Sequence, residues 1–147
     1  MPGTYSDILL HIVFSTKDRE ALISDEIQNG LYAYIRGIVD HSGGATLAIG
    51  GVADHVHLLV RWRPDATISD LVRVMKARSS RWVHVNHPGV KGFAWQEGYA
   101  VFSVHRKNLA GLQSYIARQA EHHLARDYRE EMLAALRVHE IDLLLDE

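Results

Sequence analysis

The chain has 147 residues, 47% of them apolar, and a formal net charge of −2, which suits a single globular domain (1–147) with a proper core. It contains no cysteine, which excludes disulfides, zinc–thiolate sites and thiol nucleophiles. No apolar run approaches the roughly 18 residues of a membrane span, and no basic stretch followed by an apolar run marks a signal peptide, so a cytoplasmic location is expected by default.

Tyr5 to Ser15 includes Ile8-Leu9-Leu10-His11-Ile12-Val13-Phe14, too short for an ordinary helix and rich in strand formers, so the first strand is expected there. Thr16 to Glu20 is a charged loop. Ser24-Asp25-Glu26 reads as a helix start, with Ser24 as cap and acids in the first turn. Ile27, Leu31, Tyr34, Ile35 and Ile38 then recur at helical spacing, up to a stop before Ser42-Gly43-Gly44. Ala45 to Val52 is a second strand, and a hairpin turning near Gly50-Gly51-Val52-Ala53-Asp54 leads into His55-Val56-His57-Leu58-Leu59-Val60, a buried third strand.

Side chains alternate along a strand, so His55 and His57 share one face about 7 Å apart, while Val56 and Leu58 enter the core. Two imidazoles so placed can grip one ion; the plainer alternative is a pair of histidines on the wet face of a half-buried sheet. Asp54, if part of the strand, points away from both.

Pro64 ends that strand, and Thr67 caps a second helix with Ile68, Leu71, Val72 and Met75 on its apolar stripe. Its other face carries Arg73, Lys76, Arg78 and Arg81, a candidate basic face for an anionic partner. Residues 61–107 hold nine basic and three acidic side chains, and residues 120–147 hold three and eight, so a basic segment is followed by an acidic one. Phe93 to His105 reads as a long strand or a pair of strands. Asn108 caps a third helix running to about Arg126, and a last, acidic and leucine-rich helix is expected over about 128–144.

Strand, helix, strand, strand, helix, strand, then helices, is the βαββαβ pattern of an α+β, ferredoxin-like fold (a core over about 5–125) with an antiparallel sheet and helices on one face. The first and third strands are then central, and the His-x-His strand presents its histidines on the face the two helices leave free. On the third helix Tyr115 and Gln119 are four residues apart and share a face, where a phenol and an amide oxygen can meet a metal together. Trp62, Trp82 and Trp95 are read as core residues.

The motifs occur together and in order: His55-Val56-His57; Tyr115 followed by Gln119; Leu10-His11-Ile12-Val13-Phe14-Ser15-Thr16-Lys17; and Trp95-Gln96-Glu97-Gly98-Tyr99-Ala100-Val101-Phe102-Ser103-Val104. In these the chain resembles the small single-tyrosine HUH transposases of bacterial insertion sequences and their relatives, the REP-associated tyrosine transposases, from about Tyr5 to His123. The resemblance implies an enzyme that cuts and rejoins single-stranded DNA at hairpins. Tyr115 would be the nucleophile and His55, His57 and Gln119 the ligands of a divalent metal, Mg²⁺ or Mn²⁺. It implies a homodimer in which Tyr115 of one subunit reaches the histidines of the other. No role carries over to Asp54, Lys76, His122 or His123.

Two other readings stand beside it. His-Val-His-Leu-Leu-Val is similar to the motif of histidine-triad nucleotide hydrolases, but the position for their third histidine is Leu59. A domesticated or inactive module that binds hairpin nucleic acid without cutting it would keep the same fold.

Overall fold

The computed structural model describes residues 3–119 and Glu130. Its elements are β1 (Ile8–Ser15), α1 (Asp25–His41), β2 (Ala45–Val52), β3 (His55–Trp62), α2 (Ile68–Asn86), β4 (Ala100–Ser103) and α3 (Leu109–Ala117). The last helix expected at 128–144, the stretch of the third helix beyond Gln119, and His122 and His123 lie outside the described residues.

Ser24 sits at the N-cap position of α1 in extended backbone, with Asp25 and Glu26 in the first turn, but its side chain makes no capping hydrogen bond. Thr67 Oγ1 accepts from Asp70 N at 3.2 Å at the start of α2. Ile27, Leu31, Ile35 and Ile38 of α1, and Leu71, Val72 and Met75 of α2, are buried.

The four strands form one antiparallel sheet in the order β2-β3-β1-β4, the ferredoxin-like arrangement, with β3 and β1 central. Leu10, Ile12 and Phe14 of β1 and Val56, Leu58 and Val60 of β3 point to one face and join the residues of α1 and α2 in the core. α3 packs on β2 and β3 from the other side: Ile116 meets Gly50, which is the cross-strand partner of His57.

The long strand or pair of strands expected over Phe93–His105 is one short strand and an isolated bridge. Only Ala100–Ser103 pairs along β1, and Trp95 makes an isolated bridge to Thr16. Between them Lys76 Nζ donates to the carbonyls of Gln96 (2.6 Å) and Gly98, and Gly98 has φ +83°, a conformation glycine adopts at little cost. Apolar composition favoured a strand; a lysine collecting two carbonyls bends the chain out of it.

Candidate active site

β3 brings His55 and His57 to the same face, as alternation requires. Their ring centroids are 5.0 Å apart, and both are buried, at 0% and 2% exposure. The expectation of a face left open is therefore corrected. α3 folds back over it, and the histidines lie beneath a helix rather than in water.

Three contacts seat that helix on the sheet. An ideal Cβ on Gly50 would stand 2.2 Å from the carbonyl oxygen of Ile116, so only glycine lets the backbone of α3 come this close. The register of β2 against β3 shifts between Thr46 and Ala48, and Gln113 Nε2 of α3 donates to the carbonyl of the intervening Leu47 at 3.1 Å. Ile116 is fully buried in the contact. One helical residue away, Tyr115 then stands edge-on to His57, with ring centroids 6.0 Å apart. Tyrosine and histidine of the same chain thus meet.

Gln119 follows the end of α3, past the Arg118 cap, and is 1% exposed. Neither its Oε1 nor its Nε2 has a hydrogen-bond partner among the described residues, an arrangement that costs stability unless something else takes the amide. A metal ligand is one such use. Among the described residues no three His, Asp or Glu side chains cluster as a metal site on their own. The residues that could hold an ion are the two imidazoles and the unpartnered Gln119 amide, none of which carries a formal charge.

Sequence reasoning passed over two neighbours of the histidines. β3 begins at His55 and not at Asp54, so Asp54 belongs to the turn and its side chain comes back: Oδ1 lies 2.7 Å from His55 Nδ1. The turn is held by Thr16, whose N and Oγ1 donate to Asp54 O at 2.9 and 3.2 Å, and by Ile23 N donating to Ala53 O at 2.9 Å. His11 Nε2 lies 2.9 Å from His57 Nδ1, with the rings stacked at 5.1 Å. The signal for His11 and Thr16 was present in the Leu10–Lys17 stretch, but the partners are 46 and 38 residues away.

A cavity of about 520 Å³ opens beside Tyr115, between β4 and α3, lined by His11, Phe102, His105, Lys107, Asn108, Gly111 and Leu112 among others. The basic residues of α2 are elsewhere. Arg73, Arg78 and Arg81 are exposed on the helix that covers the opposite face of the sheet, and Arg73 lies 3.8 Å from Asp70. Lys76 is directed to the carbonyls of Gln96 and Gly98 and stands 5.7 Å from the Phe14 ring centre; burial lowers its pKa. Trp62 is buried, and Trp82 and Trp95 pack partly buried against the core.

The family model described as "Transposase IS200 like" matches residues 4–119. The ISDra2 transposase TnpA of Deinococcus radiodurans is 30% identical over 114 residues, covering 74% of this chain and 81% of that protein. The transposase for insertion sequence element IS200 of Salmonella typhimurium is 28% identical over 116 residues, covering 76% of each. Among solved structures, a putative transposase from Deinococcus radiodurans R1 superposes with a TM-score of 0.66 at 29% identity, over 81% of this chain and 95% of that one. A REP-associated tyrosine transposase bound to a REP hairpin superposes with a TM-score of 0.61 at 17% identity, over 84% and 73%, a likeness of fold.

Proposed function

The chain belongs to the IS200-like transposase family, enzymes of DNA transposition, and from that premise we propose that it cuts and rejoins single-stranded DNA at hairpin-flanked sites through a 5′-phosphotyrosine intermediate. The observation that carries the reading is the Tyr115 ring 6.0 Å from His57 above a buried histidine pair.

Tyr115 supplies a nucleophile that conserves the energy of the bond it breaks. Its phenol loses a proton, the oxygen bonds to phosphorus, and the bond to the 3′ oxygen breaks, leaving a 3′-hydroxyl once that oxygen is protonated. The same hydroxyl, or one from another junction, reverses the step, so no nucleotide is consumed. A free phenol ionises near pH 10, so the attack needs help. His55, His57 and Gln119 would hold a divalent ion, Mg²⁺ or Mn²⁺, and such an ion when bound polarises the phosphoryl oxygens. The protein does the rest: α3 aims the phenol, burial keeps competing water from the histidines, and the cavity lined by His105 and Lys107 offers room and positive charge for the strand. A hairpin partner is suggested by the REP-hairpin complex of the structural relative. Arg73, Arg78 and Arg81 would grip phosphates across the sheet from the reacting one, with Lys76 shaping the neighbouring loop.

The test is incubation with an end-labelled single-stranded hairpin oligonucleotide and Mn²⁺. A covalent protein–DNA adduct is expected from the native chain, and none from Tyr115→Phe or after chelation. DNA that is retarded but never cut by the native chain would leave a binding module instead.

A further inference from the structure

We propose that Asp54 and His11 are positioning residues that hold His55 and His57 in their Nδ1–H tautomers, making Nε2 of each ring the metal-ligating nitrogen; this rests on the metal-site reading above. The two contacts are independent of each other. Asp54 Oδ1 is 2.7 Å from His55 Nδ1. An ionised carboxylate only accepts, so the proton of that bond is on Nδ1. His11 Nε2 is 2.9 Å from His57 Nδ1. If His57 ligates through Nε2, its proton is on Nδ1 and donates to His11, whose own proton is then on Nδ1.

The placement comes from the fold. Thr16 and Ile23 fix the turn that returns Asp54 towards the sheet. His57 pairs with Val13 in the β1–β3 register, so His11 is its diagonal neighbour on the same face, within reach of a ring. The Asp54 contact thus puts the His55 proton on Nδ1 and holds that ring, and the His11 contact holds the His57 ring and does the same for its proton when His11 accepts. An imidazole without such partners favours the Nε2–H tautomer, which cannot ligate through that atom.

The first experiment needs no metal. Long-range ¹H–¹⁵N correlation spectra of the histidines, with the rings neutral, should show Nδ1–H for His55 and His57 in the native chain. In Asp54→Ala only His55 should change to Nε2–H, and in His11→Leu only His57. Mn²⁺ affinity, read by electron paramagnetic resonance of free Mn²⁺ with a hairpin oligonucleotide present, should fall about 10–100-fold in each. Asp54→Asn and His11→Gln return an acceptor and should recover most of it. Nε2–H on either motif histidine of the native chain overturns the inference, and that spectrum decides the matter even where a variant fails to fold. His57→Ala separates the two readings. If it binds Mn²⁺ like the native chain, the metal site falls and this inference with it; if it alone loses Mn²⁺ while Asp54→Ala and His11→Leu bind normally, only the positioning role falls.

Discussion

Gly50→Ala adds one methyl group at the seat of the tyrosine helix. The new carbon would lie 2.2 Å from the Ile116 carbonyl oxygen and 3.1 Å from its carbon. Carbon–oxygen contacts close to no less than about 3.3 Å, so α3 must withdraw by about 1 Å. The neighbour is backbone, not the end of a flexible side chain, so the helix moves as a unit and Tyr115 moves with it. Overpacking of this kind costs about 1–3 kcal/mol, which for a chain of this size lowers Tm by about 2–12 °C. A displacement of about 1 Å at a reacting atom costs on the order of 100-fold in rate. Adduct formation on a labelled hairpin oligonucleotide should therefore slow about 100-fold at a temperature where the variant is still folded by circular dichroism. Gly37→Ala is the control: its Cβ meets nothing within 4 Å, and in the interior of α1 it should add about 0.5–1 kcal/mol of stability. Native Tm with adduct formation within threefold of the native rate in Gly50→Ala would refute the argument that close approach of α3 sets the position of the nucleophile.

Four further outcomes are expected. Burial pushes the Tyr32 phenol up to about 12, while the unfolded chain ionises near 10; the folded state then holds the extra proton, and stability present below pH 10 declines between pH 10 and 12 by about 2 kcal/mol. Tyr32→Phe should flatten that decline in alkaline denaturation curves, and an unchanged slope would contradict the assignment. The proposed ligands His55, His57 and Gln119 carry no formal charge to set against the ion's, so calorimetry should find Mn²⁺ binding tighter with hairpin DNA than without it, and equal affinities would count against the site. With Tyr115 against His57 of its own chain, co-expressed His57→Ala and Tyr115→Phe chains should stay inactive together; recovery towards half the native sites would mean that two copies exchange α3, with Gly111 in its first turn as hinge. Charge reversal at Arg78 and Arg81 should weaken hairpin binding and lower its salt dependence by about one unit of slope per lost phosphate contact, while the Tm stays within about 1 °C, since both residues are exposed.

The motif order and the alternation of β3 are local properties, and they were enough to place His55 and His57 on one face of a central strand and Tyr115 on a helix after the sheet. The helix starts after Ser24 and Thr67 were likewise readable, because acids in a first turn and a cap such as that of Thr67 act within four residues. What the sequence left open depends on distances between segments. Burial of the histidines follows from α3 folding back on β2, and the Gly50-Gly51 pair, read as part of the hairpin turn, lies inside β2, where Gly50 admits the backbone of Ile116. Asp54 returns to His55 because it lies in the turn just before β3 begins, and Thr16, 38 residues earlier, holds that turn. His11 reaches His57 only through the β1–β3 register, and a one-residue slip would put the two on opposite faces. A one-dimensional pattern records which face a side chain takes; which other side chain waits there is decided by how the strands pair and where a helix comes to rest.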